Sequence, residues 1–320
     1  MSDILLVSLG STAGLRAADA ELAGSLRRAG ADVAQVEVEL PAERRGFVLH
    51  DLAQARAARR AAARALAESR PRAILYSTVT AALLWPAPGA IRFDAPAAAN
   101  RPGRHGLWQR PRERRRLAEA ALLVPWSTGG LAEAPAPHAD AVVVPVPVEA
   151  SGPAAAERDL AAVTYGADAP KKGLDRVLAA WAEARRPDEE LVVAGAAATG
   201  EGVTPAGLLA PDEFRALLRR ARVYLTAPRR EDYGLAQLEA LADGAMLVTT
   251  PAPGPYVARP IARELDPRLV ADDLAAAIRT ALDDPAAGYA ERAADALAPY
   301  RRAAVDRTVA GELLPRLLAG

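Results

Sequence analysis

The sequence predicts an α/β protein made of two doubly wound, parallel-sheet domains. Three observations carry this prediction. Short apolar runs alternate with longer helical stretches; a proline-rich segment at 145–153 breaks the alternation once; and the alternation then restarts. Strands separated by helices imply βαβ units and parallel sheets. The 320 residues are enough for two domains of about 150 residues, each with its own core.

Ile4–Leu9 reads as the first strand. Leu15–Ala29 follows as an amphipathic helix ended by Gly30, and Val33–Val38 is the second strand. Asp51–Ser69 is helical. Ala73–Tyr76, Ala90–Phe93, Leu122–Val124 and Val142–Val144 read as further short strands. Pro145, Pro147 and Pro153, with Ser151 and Gly152 between them, can continue neither element and read as a linker. The expected division is 1–148, 149–300 and a C-terminal amphipathic helix over 301–320. In the second half, Leu160–Tyr165, Leu191–Ala194, Val223–Thr226 and Met246–Thr249 read as strands. Leu174–Ala184, Asp212–Arg220, Leu235–Ala242, Asp272–Leu282 and the stretches after Pro285 read as helices. No short-period repeat is present. Ligands of open α/β sheets sit at the carboxyl ends of the strands, so a cleft between the two domains is the expected site.

Composition excludes several classes of function. Hydrophobic residues are 51% and charged residues 25%, a soluble globular balance. With no cysteine there are no disulfides, thiolate metal sites or cysteine nucleophiles. His50, His105 and His138 are too far apart for a metal motif, so no metal and no cofactor are expected. The N-terminus carries Asp3 and no basic stretch, unlike a signal peptide. The longest uncharged run, Ala73–Ile91, contains Pro86, Pro88 and Gly89 and would make a poor membrane helix. A cytoplasmic protein is expected.

Forty basic residues balance forty acidic ones, which argues against a nucleic-acid partner. The balance hides an asymmetry. Residues 1–150 hold 19 arginines against 15 acids, and residues 151–320 hold 21 basic residues against 25 acids. Only two of the forty basic residues are lysine, the adjacent Lys171 and Lys172.

The most informative stretch is 227–256. It places Glu231 before Gly234 in a strand-to-helix loop, and Glu239 on the helix that follows. The free N–H groups and positive dipole end of such a helix suit a diphosphate. Two carboxylates separated by seven residues, roughly 7–8 Å of helix rise apart, could hold hydroxyls at opposite ends of a nucleotide sugar. The bland alternative makes Glu231 a helix cap and Glu239 a solvated side chain. Tyr165–Gly173 joins the first strand of this half to its first helix and directs the lysine pair toward the same region, the alternative being a solvated surface pair.

Lys172-Gly173 within Ala162–Ala184, followed by Glu231–Gly244 with Glu239-Ala240, resembles the GT-B glycosyltransferases of family 4. The resemblance covers residues 160–285. It implies two Rossmann-like domains, a nucleoside-diphosphate sugar as donor and transfer with retention, without a metal. It implies that Lys172 contacts the diphosphate and that the backbone of Tyr233, Gly234 and Leu235 binds phosphate oxygens. Glu231 would hold a sugar hydroxyl, Glu239 the ribose, and Gly207 with Leu208 would approach the base. Gly10 and Gly14, in the turn after the first strand, would face the diphosphate. The sequence departs from the family pattern at Ala167, usually an arginine, for which Lys171 is a candidate stand-in. Phe93-Asp94 stands where the family has His-Asp, keeping Asp94 near the transferred sugar.

Residues 101–116 contain seven arginines and His105 against one acid, Glu113, with Trp108 among them. Arg101, Arg104 and His105 are candidates for an anionic acceptor. The segment could instead dock on an anionic membrane surface, or be a solvated arginine-biased helix start. Two rival readings of the whole chain remain at this point. One is a GT-B protein that binds nucleotide or a partner without transfer, and the other is a sugar-nucleotide epimerase.

Overall fold

The structure is a computed structural model. It describes all residues except 1, 43–45, 102, 154, 156 and 320, and the side chains of 47, 99 and 105. The chain forms two compact units, one of residues 1–147 with 302–320 and the other of residues 148–301.

The first unit holds five parallel strands: β1 (Ile4–Ser8), β2 (Val33–Glu37), β3 (Ala73–Tyr76), β4 (Ala90–Phe93) and β5 (Leu123–Pro125). Their order in the sheet is β2-β1-β3-β4-β5. Strand alternation sends Ile4 and Leu6 to one face and Leu5 and Val7 to the other, and each face is covered. One face packs against the helix Phe47–Glu68 through Ala55, Ala58 and Ala62. The other packs against the helix Ala13–Arg28 and the C-terminal segment. That segment lays Val305, Val309, Leu313 and Leu317 on the core at a spacing of four, one helical stripe. Ion pairs Arg28–Asp306 and Arg302–Glu21 fasten its exposed edge.

Val142–Val144, expected as a strand, is extended chain with a single bridge, Ala141 to Leu123. The amides of Val142 and Val144 donate to Leu123 and Pro125, but Pro125 has no N–H to return a bond and extend the ladder. The segment is nevertheless packed: Val142, Val144, Val146 and Val148 are all buried.

The second unit contains β6 (Leu160–Tyr165), β7 (Leu191–Ala194), β8 (Val203–Gly207), β9 (Ala221–Thr226) and β10 (Met246–Thr249), ordered β10-β9-β6-β7-β8 and parallel. Sequence reading misses β8. It is an edge strand with a mid-strand proline, Pro205, and none of its residues is buried, so it shows no apolar pattern. The chain leaves β6 toward β7 on one side and returns to β9 on the other. The order therefore reverses between β6 and β9, and the loops after those strands flank the switch point. These loops are residues 166–173 and 227–234, the two that carry the lysine pair and Glu231.

Candidate nucleotide-sugar site

Glycine geometry joins the two loops. Gly173 has a φ of +64°, and a Cβ there would lie 1.9 Å from the Ala227 carbonyl oxygen. No other residue allows this approach. The Arg229 amide also donates to the Lys171 carbonyl, 3.1 Å away. Asp168, itself left-handed at φ 56°, accepts from the Lys171 amide and caps the short helix Ala169–Lys172.

The loops meet through two parallel ionic contacts. Lys172 Nζ donates to Glu231 Oε2 at 2.8 Å, and Lys171 Nζ to Asp232 Oδ2 at 3.1 Å. The same Glu231 oxygen accepts from Gln237 Nε2 at 2.9 Å, and Arg230 Nε donates to Asp232 Oδ1 at 2.9 Å. Both carboxylates are buried. Behind them, Gly254 presses on the Glu231 carbonyl where a Cβ would lie 2.3 Å away, and the Glu231 amide donates to Pro253.

Gly234, at φ +92°, turns the chain into the helix Leu235–Ala242, and the Tyr256 ring fills the space a side chain would need. The first amides of this helix have no intrahelical acceptor, because its ladder begins with Leu238 donating to Gly234. Tyr233 is buried and Leu235 half-buried beside this turn. Glu239 lies one helical turn beyond Leu235. Burial raises its pKa to about 7 against the partial relief of Arg215, whose Nη1 is 3.8 Å away, and Asp243 raises it further. Tyr224, wholly buried in β9, is pushed up first by burial and then by Tyr256, Glu231 and Glu239. Gly207 ends β8 at φ +69°, and the next residue, Leu208, is 86% exposed.

In the first unit, Gly10 makes its turn at φ +52° with the Arg16 side chain folded back to donate to its carbonyl at 2.8 Å. Thr12 caps the helix that follows, and Gly14 lies in its first turn. Beneath this turn is a buried cluster that sequence reading did not single out. Ser8 donates to Asp19, Arg92 pairs with Asp19 at 3.6 Å, and the Arg92 guanidinium lies 4.9 Å from the centre of the Trp126 ring. Asp94 is half-buried and accepts from the Ala95 amide.

The arginine-rich segment is largely occupied with its own fold. Arg101 donates to Asp51, Arg110 to Gly103, Arg114 to Ala136, and Arg115 and Arg116 to Glu119. Arg112 and Arg116 also stack on Trp108 and Trp85. Glu113 does not offset these charges at the surface. It is buried, accepts from the Ala97 and Ala98 amides, and burial raises its pKa to about 7. Arg104 is exposed, and the His105 side chain lies outside the described residues.

Three site residues escaped sequence reading. Gln237, Asp232 and Arg230 were hidden because a glutamine on an apolar helix and charges in an arginine-rich loop carry no spacing signal. The one clue was proximity to Glu231. Among the described residues no group of three or more acidic, histidine or cysteine side chains could hold a metal, and no helix is long and apolar enough to cross a membrane.

Comparison with known proteins gives the geometry a family context. Residues 160–284 match the family model of the glycosyl transferases group 1. No curated protein sequence matches the chain. Among solved structures, WaaG, a glycosyltransferase involved in lipopolysaccharide biosynthesis, superposes with a TM-score of 0.71 at 15% identity, covering 96% of this chain and 99% of WaaG. A sucrose-phosphate synthase from Thermosynechococcus elongatus gives 0.71 at 16% identity over 100% of both chains. HepE from Anabaena, in complex with UDP and glucose, gives 0.68 at 15% identity, covering 98% and 100%. Residues 160–284 thus resemble the group 1 glycosyl transferases, and the chain has the GT-B fold.

Proposed function

We propose that the chain is a retaining, family 4-type hexosyltransferase that moves a sugar from a nucleoside-diphosphate sugar to an anionic or lipid-linked acceptor without a metal. One observation carries the reading: Lys172, Glu231 and Gln237 converge at the sheet's switch point, beside the open N-terminus of the helix that bears Glu239. Lys172 contacts the donor diphosphate, and the backbone amides of Tyr233, Gly234 and Leu235 bind its oxygens. Glu231 accepts a sugar hydroxyl, while Lys172 and Gln237 hold one of its oxygens in place. Glu239 accepts from the ribose hydroxyls, Gly207 and Leu208 lie along the base, and Gly10 and Gly14 approach the diphosphate. No side chain is assigned as a nucleophile. The acceptor attacks on the face the leaving group departs from, the departing phosphate takes the acceptor's proton, and the protein contributes positioning and preorganised charge. HepE, solved with UDP and glucose, supports the choice of ligand class.

The test is a thermal-shift screen of UDP, GDP and ADP sugars. A ligand present at a hundred times its Kd adds about 2.7 kcal/mol, which is easily seen. Lys172→Ala and Glu239→Ala are each expected to cut donor binding, and wild-type affinity in both variants would refute the assignment.

On the acceptor side, Arg101, Arg104 and His105 are proposed to face an anionic group, and Asp94 the transferred sugar. Leu49 and Leu107, 56% and 65% exposed, support peripheral contact with an anionic membrane on the cytoplasmic face. Sedimentation with phosphatidylglycerol vesicles should exceed that with phosphatidylcholine and fall in Leu107→Ser/Arg104→Ser. Equal sedimentation with both lipids argues against the membrane.

A further inference from the structure

A carboxylate that accepts from ribose hydroxyls works best when ionised, and the structure places a cation beside Glu239. Arg215, on the helix Pro211–Arg220, brings Nη1 to 3.8 Å from Glu239 Oε1. The rest of its guanidinium is tied down. Nε donates to Asp243 Oδ2 at 2.6 Å, and Nη2 to the Glu149 carbonyl at 2.7 Å. Asp243 follows the last turn of the Glu239 helix, and its side chain is 0% exposed. It also accepts from the Ser151 amide at 2.8 Å and from the Ser151 hydroxyl, to which Arg219 donates in turn. Glu149 and Ser151 belong to the segment by which the chain enters the second unit. A planar, forked cation can serve two carboxylates and a carbonyl at once, whereas a single ammonium is a point charge.

Among the described residues, the groups that act on Glu239 or feel its charge are Arg215 opposite it, Asp243 four residues further along, and Tyr224 on β9. Arg215 is the one cation of the three, and Asp243 works against it. Without the arginine, a carboxyl already disfavoured by burial would face a like charge and a phenol.

We infer that Arg215 is a positioning residue for the nucleotide: it keeps the Glu239 carboxylate charged and in place for the ribose hydroxyls, while Asp243 and the Glu149 carbonyl fix the guanidinium there. The inference rests on the reading of Glu239 as the ribose contact, and adds the group that lets this contact operate at neutral pH. The effect of Arg215 passes through Glu239. It therefore acts on ligands that carry a ribose and leaves inorganic pyrophosphate alone.

Calorimetric titration of the full chain with UDP and with pyrophosphate, across pH 6–9, tests this. In Arg215→Gln the rise of UDP affinity with pH should move up by about one pH unit, the lower end of what an opposite charge at this distance does. UDP binding then weakens about fivefold at pH 7 and returns to within about twofold of wild type at pH 9. Pyrophosphate binding should match wild type throughout. In a Glu239→Gln background, Arg215→Gln should cost no further UDP affinity. Thermal unfolding shows whether each variant is folded. Should Arg215→Gln not fold, Arg215→Lys replaces it: its ammonium goes to the buried Asp243, and the same upward move is expected. A UDP profile superposing on wild type overturns the inference. So does an equal loss of UDP and pyrophosphate binding at every pH, which marks a merely structural role, or an undiminished effect in the Glu239→Gln background. If Glu239→Gln itself binds UDP as wild type does, the ribose reading fails; if it weakens UDP while the arginine variant keeps the wild-type profile, only this inference fails.

Discussion

The pH dependence of Glu239 offers a test in which two measurements must move in opposite directions. Its carboxyl is raised to about 7, chiefly by burial, with Arg215 opposing and Asp243 reinforcing the rise. An ionised carboxylate can accept from both ribose hydroxyls, whereas a protonated one must give up an acceptor position to its own proton. Nucleotide affinity should therefore rise as pH passes through about 7. Between pH 6 and pH 8 the ionised fraction of a group titrating near 7 grows about tenfold, or ~1.4 kcal/mol of binding. Stability runs the other way. A carboxyl whose folded pKa is raised contributes stability that is fully present below the unfolded value of 4.5 and lost as pH rises through about 7. The full shift would be worth roughly 3 kcal/mol. A quarter of the side chain remains exposed, so this is a ceiling. Calorimetric titration with UDP and chemical unfolding, both across pH 5.5–8.5 on wild type and Glu239→Gln, read the two effects. The variant serves as the baseline for the nucleotide's own phosphate titration. Identical affinity profiles in wild type and variant would refute the reasoning, as would a wild-type stability that rises with pH relative to the variant.

Three further outcomes are expected. Gly173→Ala forces a Cβ to within 1.9 Å of the Ala227 carbonyl at a φ of +64°, and should lower the Tm by several degrees and abolish nucleotide-induced stabilisation, read by thermal shift. Arg92→Met should destabilise the first unit by about 3–5 kcal/mol by leaving Asp19 buried without its cation, and adding Asp19→Asn should recover much of the loss in denaturant titrations. Glu113→Gln should flatten the fall in stability between pH 5 and pH 8 that a carboxyl raised to about 7 produces, by roughly 3 kcal/mol at most, measured as the difference in unfolding free energy at the two pH values.

The sequence made the sheets legible wherever both faces of a strand are buried. β1, β6, β7 and β10 are near-continuous apolar runs, which is what a parallel sheet covered on both sides requires. Where that condition lapses, so does legibility. β8 lies at an edge with no buried residue, while 142–144 has the apolar pattern but runs beside Pro125, which has no amide to extend the ladder. For the site, lysine rarity and the Glu231–Gly234 turn pointed to the right loops, because charge and glycine at a strand-to-helix turn are local features. Asp232, Arg230 and Gln237 act through contacts fixed by the fold. A carboxylate shared by two cations from different loops leaves no mark on either loop's sequence. The arginine-rich segment illustrates the opposite case. Its density suggested an anion site, yet several of its cations are consumed by nearby carbonyls, carboxylates and indole rings.

The two units place the same kind of turn over different charge. In each, a glycine-containing loop follows the first strand at the point where the strand order reverses. Beneath the Gly10 turn, however, the charge is closed off. Asp19 and Arg92 are both 0% exposed and paired with each other, with Ser8 and Trp126 taking up further contacts, so the cation beside this turn is the exposed Arg16, which donates to the Gly10 carbonyl. At the Gly173 turn, Lys171 and Lys172 reach across to two carboxylates on the neighbouring loop, and the Lys171 side chain is nearly half exposed. Net charge zero is therefore compatible with a strongly polarised site. An anion reaching the second unit's switch-point loops meets lysine side chains, whereas the Arg92 guanidinium beneath the first unit's turn is buried.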